Sequence, residues 1–130
     1  MAKDTIGKIL YTDKELQKRA KELGKKISKD YENEEIILLG TLKGAVVWMS
    51  ELMKHISLDV KIDFISASSY GSSTTSSGVV KIKKDIGMDI YNRHVLIVED
   101  IVDTGTTLKF LKEYLEDRNP KSVKVCTMLD

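Results

Sequence analysis

The sequence predicts an α/β fold in which a mainly parallel central sheet is flanked by helices. Two continuous apolar runs, at residues 36–39 and 95–98, are typical of strands that are buried on both faces. Segments with helical spacing of apolar residues follow both runs, and right-handed crossovers are the rule for this order of elements. With 130 residues and no evident linker or repeat, the chain is expected to form a single domain, residues 1–130, around one core.

The first predicted element is an amphipathic helix. Thr12 is followed three residues later by Glu15, a capping-box spacing that satisfies exposed N–H groups at a helix start. Apolar residues then recur at helical spacing, at Leu16, Ala20, Leu23 and Ile27. Gly24 interrupts this pattern at a modest cost, and the Lys and Glu residues between these positions indicate a solvated face.

A second helix and a second strand follow the run at residues 36–39. Residues 44–56 are interpreted as a mostly buried helix. Its apolar residues are Val46, Val47, Met49, Leu52, Met53 and Ile56, with Trp48 packing beside them. Residues 58–64 alternate between apolar and charged side chains, which predicts a strand with one exposed face.

Ser, Thr and Gly dominate residues 66–78, a composition too poor in apolar side chains to bury a packed loop. We therefore expect a long mobile loop there. Residues 79–83 alternate again, and a polar turn around Asn92 precedes the run at residues 95–98. This order favours a hairpin between the two segments.

The last predicted elements are a helix and a strand. Leu108, Leu111 and Leu115 share one helical face, and Asn119 with Pro120 ends the helix. Residues 123–129 predict the final strand, in which Cys126 is interpreted as a small buried hydrophobic residue.

Composition excludes several functional classes. Twenty-one Lys and Arg against twenty Asp and Glu leave a net charge of +1, so we expect no nucleic-acid partner and no membrane partner. No apolar run approaches the roughly 20 residues of a membrane span, and the N-terminus lacks the pattern of a signal peptide, which predicts a cytoplasmic protein. Cys126, His55 and His94 have no zinc-ligand spacing, and one cysteine forms no internal disulfide.

The chemically informative stretch follows the apolar run at residues 95–98. Glu99 and Asp100 come at the carboxyl end of this strand, where open α/β sheets bind their ligands. The hydroxyl-rich turn at residues 104–107 opens the next helix, where free N–H groups favour an anion. Two carboxylates beside a phosphate need Mg²⁺ or sugar hydroxyls to offset their charge, so the combination suggests a phosphorylated sugar.

A plainer interpretation stays open on spacing alone: the carboxylates belong to an ordinary loop, and Thr104 caps a helix. Two other kinds of phosphate site are excluded, because neither G-x-x-x-x-G-K-[ST] nor G-x-G-x-x-G occurs in the chain.

The full string at residues 95–107, VLIVEDIVDTGTT, resembles the phosphoribosyl pyrophosphate signature of type I phosphoribosyltransferases. Leu42-Lys43-Gly44 is similar to the pyrophosphate loop of that family, and Ser69-Tyr70-Gly71 is similar to its mobile catalytic loop. Together the motifs resemble the hypoxanthine-guanine type, particularly the bacterial one. The resemblance implies a Rossmann-like core in which the Ser/Thr-rich loop is long and mobile.

The resemblance also implies a reaction: Mg²⁺-dependent transfer of a phosphoribosyl group from phosphoribosyl pyrophosphate to N9 of a 6-oxopurine. Glu99 and Asp100 would engage the ribose hydroxyls, directly or through Mg²⁺, and Asp103 would be the general base at purine N7. The 5′-phosphate would be surrounded by Asp103, Thr104, Gly105, Thr106 and Thr107.

Two further motifs acquire roles by the same resemblance. Lys43, with Gly44 beside it, would approach the pyrophosphate, and the peptide bond before this lysine would be cis. Ser69 and Tyr70 would close over the site and exclude water.

Relatives of this type continue beyond the position of Asp130, through a segment that contacts the purine. We therefore expect a shortened core that self-associates as a homo-oligomer, because the last strand would lose its neighbours. A non-catalytic domain that binds phosphoribosyl pyrophosphate, as a sensor or scaffold, is the alternative function. The choice among hypoxanthine, guanine and xanthine stays open.

Overall fold

A computed structural model of the chain describes residues 13–70, 79–101 and 106–129, without the side chains of residues 69, 70, 79, 101, 106 and 129. In order along the chain, its elements are helix α1 (Asp13–Asp30), strand β1 (Ile36–Thr41), helix α2 (Ala45–Met53), strand β2 (Val60–Tyr70), strand β3 (Val79–Lys84), strand β4 (His94–Ile101), helix α3 (Thr106–Glu116) and strand β5 (Ser122–Leu129).

The strands form one sheet in the order β3-β2-β1-β4-β5. β1 lies at the centre and pairs in parallel with β2 and β4, and β4 pairs in parallel with β5. β3 pairs antiparallel with β2 at one edge. The predicted α/β fold with a mainly parallel sheet is therefore confirmed, and the carboxyl ends of β1, β2, β4 and β5 point to the same edge of the sheet.

The core lies on both faces of the sheet. Ile36 and Leu38 of β1 pack into a cluster with α1 and α2, whereas Ile37 and Leu39 pack into a second cluster with α3. Because successive side chains of a strand point to opposite faces, a strand covered on both sides needs apolar residues at every position. This explains the continuous apolar runs of β1 and β4.

Gly24 of α1 is a close-contact position, which the sequence pattern did not reveal. A Cβ atom on Gly24 would lie 2.4 Å from Cβ of His55 and 2.6 Å from its carbonyl oxygen. Ser28, one turn further along α1, donates from Oγ to the Gly24 carbonyl (2.8 Å) and accepts from the Ser57 N–H (2.9 Å). Gly24 therefore lets α1 touch the turn that follows α2.

Each helix presents one face to the core. α1 begins at Asp13, beside the predicted cap Thr12, which lies outside the described residues. In α3, Leu111 and Leu115 are buried as predicted. Among the helices that the structure describes, none has the length and apolar character needed to cross a bilayer.

The prediction for the second helix was partly wrong. α2 ends at Met53, and Val46 and Val47 are 40% and 67% exposed. The buried residues are Ala45, Trp48, Met49 and Leu52. Their spacing of three and four residues is that of a single helical face, so a nine-residue helix on the sheet leaves the intervening valines outside.

The prediction for residues 66–70 was also wrong, because β2 continues through them to Tyr70. Their backbone pairs with β3, from Ser66 opposite Lys84 to Tyr70 opposite Val79, after a register shift at Ser66 and Ala67. The hairpin partner of β3 is thus β2 and not β4, which pairs with β1 and β5 instead. The rest of the predicted mobile loop, residues 71–78, lies outside the described residues.

Candidate active site

The candidate site lies at the carboxyl edge of the sheet. Here a small pocket of about 130 Å³ is bounded by the ends of β1 and β4, the loop after β1, and the first turn of α3. The pocket is lined by Thr41, Leu42, Gly44, Ala67, Glu99, Asp100, Thr107 and Leu111. Residues from two of the predicted motifs, at residues 42–44 and 95–107, therefore meet in one place, as expected for an open α/β sheet.

An acid pair forms the centre of the pocket. Glu99 is half-buried and accepts a hydrogen bond from the Thr41 hydroxyl, with 2.5 Å between Oγ1 and Oε1. Burial raises the pKa of the Glu99 carboxyl, and the neighbouring charge of Asp100 adds to this effect, while the Thr41 hydrogen bond opposes it. Glu99 is thus a carboxylate whose charge the protein itself only partly compensates.

Gly44 brings the loop after β1 against this acid pair. A Cβ atom at this position would lie 2.8 Å from Oδ2 and 3.1 Å from Oδ1 of Asp100. The Leu42–Lys43 peptide bond just before it is cis, as the sequence resemblance implied. The Leu42 N–H donates to the Ile65 carbonyl (2.9 Å), which ties the start of the loop to β2. Absence of a side chain at Gly44 is therefore what allows the Asp100 carboxylate to reach the loop.

The predicted phosphate-binding turn is described only at its end. Thr106 is the first residue of α3, and Thr107 lines the pocket. Asp103, Thr104 and Gly105 lie outside the described residues. The amino end of α3 adjoins the acid pair, so the position offers the N–H groups and helix dipole that favour an anion.

The remaining predicted residues within the described part of the chain lie in the loop after β1 and at the end of β2. Lys43 is exposed in the loop after β1. Ser69 and Tyr70 are the last residues of β2, and their side chains are not described. The structure therefore brings Gly44, Glu99, Asp100 and Thr107 together.

Thr41 is a site residue that the sequence did not predict. It is the last residue of β1, directly before Leu42-Lys43-Gly44, and β1 lies beside β4 in the sheet. Its position after a buried strand, next to a predicted binding loop, was a usable signal. Its hydrogen-bond partner, Glu99, is set by the pairing of β1 with β4, which local sequence does not predict.

The donor set fits a hard divalent cation in part. Glu99 and Asp100 supply carboxylate oxygens, the ligands that Mg²⁺ prefers. Within the described residues no group of three or more His, Cys, Asp or Glu side chains could hold a metal. Mg²⁺ commonly uses one or two carboxylates and completes its shell with water and substrate oxygens, so the pair fits Mg²⁺ brought with a phosphorylated ligand.

Comparison with protein families identifies residues 7–130 as a match to the phosphoribosyl transferase domain. The hypoxanthine-guanine phosphoribosyltransferase of Streptococcus mutans is 47% identical over 130 residues, which is all of this chain and 72% of that protein. The enzyme of the same name from Streptococcus pneumoniae has the same identity and coverage.

Solved structures give the same result. A crystal structure of a hypoxanthine-guanine phosphoribosyltransferase from Bacillus anthracis superposes with a TM-score of 0.86 at 47% identity, covering 91% of this chain and 70% of that one. A hypoxanthine phosphoribosyltransferase from Staphylococcus aureus also has a TM-score of 0.86, at 44% identity, covering 91% of this chain and 64% of that one.

Proposed function

This chain belongs to the phosphoribosyltransferase family, as a member of the hypoxanthine-guanine type, and we propose that the carboxyl edge of its sheet binds phosphoribosyl pyrophosphate with Mg²⁺. The chain serves purine salvage by phosphoribosyl transfer. The bound sugar would be passed to N9 of hypoxanthine or guanine. The observation that carries the proposal is the contact between the two motifs: the Asp100 carboxylate lies against Gly44, in a pocket shared with Glu99 and Thr107. The alternative of a non-catalytic sensor is not favoured by these comparisons.

The acid pair is proposed to hold the ribose. Glu99 and Asp100 would accept hydrogen bonds from the ribose hydroxyls, and the same carboxylates would hold Mg²⁺. When bound, the cation offsets negative charge on the pyrophosphate leaving group. A carboxylate pair near C1′ also stabilises the positive charge that develops there as the leaving group departs.

The phosphates are proposed to lie on either side of this pair. Lys43 and the N–H groups around Gly44 would bind the pyrophosphate, and the turn formed by Asp103, Thr104, Gly105, Thr106 and Thr107 would bind the 5′-phosphate. The start of α3 supports the second assignment, because a helix N-terminus favours a phosphate.

The transfer itself replaces one bond at C1′ by another. The bond from C1′ to the pyrophosphate oxygen breaks, the bond from C1′ to purine N9 forms, and pyrophosphate leaves with the electron pair. The 6-oxopurine must lose a proton as it bonds, and Asp103 is proposed to accept that proton at N7. The products are inosine or guanosine monophosphate and pyrophosphate.

Ser69 and Tyr70 are proposed to cover the reacting ribose. They end β2 at the carboxyl edge, and the segment after them connects to β3. Exclusion of water from an activated sugar prevents its hydrolysis. A homo-oligomeric assembly and a cytoplasmic location stay predictions from the sequence.

Calorimetric titration with phosphoribosyl pyrophosphate, with and without Mg²⁺, tests the donor site separately from the chemistry. We expect saturable, Mg²⁺-dependent binding that Asp100→Asn weakens. Asp117→Asn is the matched control, because Asp117 is exposed beyond the end of α3 and far from the acid pair in sequence. No binding by a chain that is folded by circular dichroism would overturn the proposed donor site.

Turnover is then tested with hypoxanthine, guanine and xanthine, by measuring pyrophosphate release. Asp103→Asn is expected to lower the rate far more than it changes donor affinity, because a general base acts on the purine. Product formation excludes a purely sensory domain. Equal rates for the parent chain and Asp103→Asn would remove Asp103 from the role of base.

A further inference from the structure

We propose that Thr41 is a positioning residue that fixes the Glu99 carboxylate for the ribose and joins it to the pyrophosphate loop. The inference rests on the proposed function and adds a residue to it. The Thr41 hydroxyl donates its only hydrogen to Glu99, so it has none to donate to the substrate.

The geometry of Thr41 is set on its backbone side by β2. Thr41 pairs with Ile65 in the β1–β2 ladder, and the next residue, Leu42, donates its N–H to the Ile65 carbonyl at 2.9 Å. These contacts hold the last residue of β1 and the first residue of the loop in one orientation. The hydroxyl of Thr41 is then directed at the neighbouring strand on the other side.

That neighbouring strand is β4, and the register explains the contact. Gly40 is opposite Val98, so the next residues along the two parallel strands are Thr41 and Glu99. The hydroxyl donates to Oε1 of Glu99 at 2.5 Å, across 58 residues of sequence. Glu99 also accepts a hydrogen bond from the Asp100 N–H, while the charge of the Asp100 carboxylate repels it.

A hydroxyl donor therefore opposes the rotation of Glu99 away from its acidic neighbour. A glutamate side chain has several rotatable bonds, and fixing it in advance spares the substrate that cost on binding. The same residue begins the segment that carries Lys43 and Gly44, so one side chain links the ribose carboxylate to the loop assigned to the pyrophosphate.

Thr41→Val is the primary test, because valine keeps the branched shape and removes the donor. Calorimetry with phosphoribosyl pyrophosphate and Mg²⁺ is expected to show affinity weakened about tenfold, the usual scale for a hydrogen bond to a charged group. Thr41→Ser keeps the hydroxyl and is expected to restore affinity close to that of the parent chain. Ser50→Ala, which removes an exposed hydroxyl on α2, is the control.

Two measurements separate positioning of Glu99 from a general structural effect. Thr41→Val should weaken ribose 5-phosphate, which lacks the pyrophosphate, more than it weakens inorganic pyrophosphate with Mg²⁺. In a double-mutant cycle with Glu99→Gln, the effect of Thr41→Val on donor affinity should shrink, since residues that act through each other are not additive.

The outcomes keep the two proposals apart. Absence of donor binding by the parent chain overturns both. Donor binding that is equal in the parent chain and Thr41→Val, or an effect that is unchanged in the Glu99→Gln background, overturns the role of Thr41 and leaves the proposed function standing. Thr41→Ala, which removes the donor without adding an apolar methyl at its place, gives the same test should the valine variant fail to fold by circular dichroism.

Discussion

The two edges of the parallel sheet treat their carboxylates differently. At the amino edge, before β1, Glu34 lies 3.4 Å from Nε2 of His94 and 3.8 Å from Nζ of Lys121. Glu35 lies 3.9 Å from Nζ of Lys61 and 4.0 Å from Nη1 of Arg93. At the carboxyl edge, Glu99 makes no ion pair within the part of the chain that the structure describes, and the donors that reach it, the Thr41 hydroxyl and the Asp100 N–H, are neutral.

The near-neutral net charge of the chain does not reveal this difference between the two edges. Lys61 of β2, with Arg93 and Lys121 directly before β4 and β5, compensates the exposed acids at the amino edge. The half-buried Glu99 at the carboxyl edge instead lies beside another acid. Burying a carboxylate without a neighbouring cation lowers the free energy of unfolding. A half-buried carboxylate that has no such cation is therefore expected to bind a ligand. The amino edge is then a structural surface and the carboxyl edge a binding surface.

The largest expected effect comes from adding a methyl group at Gly44, where the loop after β1 meets Asp100. In Gly44→Ala the new methyl group would lie 2.8 Å from Oδ2 of Asp100, so the carboxylate or the loop must move. Misplacement of a binding group by about 1 Å can cost about 100-fold, and we expect a loss of donor affinity of that order. Calorimetric titration with phosphoribosyl pyrophosphate and Mg²⁺ measures it.

Gly87→Ala is the matched control for that substitution. A Cβ atom on Gly87 would lie 3.8 Å from Oδ2 of Asp63, an ordinary contact, and Gly87 is not among the residues that line the pocket. Donor affinity should be unchanged in this variant. A Gly44→Ala chain that binds as tightly as Gly87→Ala would show that the contact between Gly44 and Asp100 is dispensable.

A second prediction concerns an acid that serves the fold. Burial by itself would raise the pKa of Asp63, but hydrogen bonds from the Gly87 and Phe64 N–H groups and the charge of Lys84 outweigh it and lower the pKa. Both N–H contacts are 2.7 Å long. The Gly87 bond ties β2 to the segment after β3, whereas the Phe64 bond is local to β2. Both bonds are stronger to an ionised carboxylate than to a neutral one, so the stabilisation depends on ionised Asp63.

The sign of the pH dependence follows from that lowered pKa. The stabilisation is present above the ordinary aspartate pKa and is lost as pH falls through the lower folded-state value. Asp63→Asn should therefore reduce the free energy of unfolding by about 1–2 kcal/mol at pH 7, and the difference should shrink below about pH 4. Urea unfolding at both pH values tests this; a difference that grows as pH falls would contradict it.

Local pattern was enough to predict most of the framework. The runs at residues 36–39 and 95–98 indicated inner strands correctly, because residues on both faces of such strands are buried. The motifs around Gly44 and Glu99 were also recognisable in sequence, since each is contiguous.

The features that could not be predicted depend on contacts between distant segments. The sequence pattern showed Gly24 only as a weak position in a helix, whereas the structure shows that His55, in the turn after α2, leaves no room for a Cβ atom there. The Ser-rich end of β2 looked like a loop, because its strand pairing is supplied by β3 and not by its own composition. Thr41 carried no signal of its partner, since only the β1–β4 pairing brings it to Glu99.

The smallest expected effect is that of Glu99→Gln on stability. It tests the difference between the two edges most directly, because the substitution is expected to raise the free energy of unfolding and to weaken donor binding. A carboxyl group whose pKa is raised on folding holds its proton more tightly in the folded chain, so ionised Glu99 lowers the free energy of unfolding at neutral pH. Glu99→Gln should therefore raise the free energy of unfolding by about 0.5–1 kcal/mol at pH 7, within the range found for substitutions that stabilise a protein at the expense of its function. The same substitution should weaken binding of the donor.

Glu35→Gln at the amino edge is the matched control for Glu99→Gln. Glu35 is 47% exposed, and surface ion pairs contribute about 0–1 kcal/mol, so this change should lower the free energy of unfolding slightly and leave donor affinity unchanged. The gain in Glu99→Gln should fade as pH falls below the ordinary glutamate pKa, because both forms are then neutral. A lower free energy of unfolding for Glu99→Gln at pH 7 would mean that ionised Glu99 stabilises the fold, and the distinction between the two edges would fail.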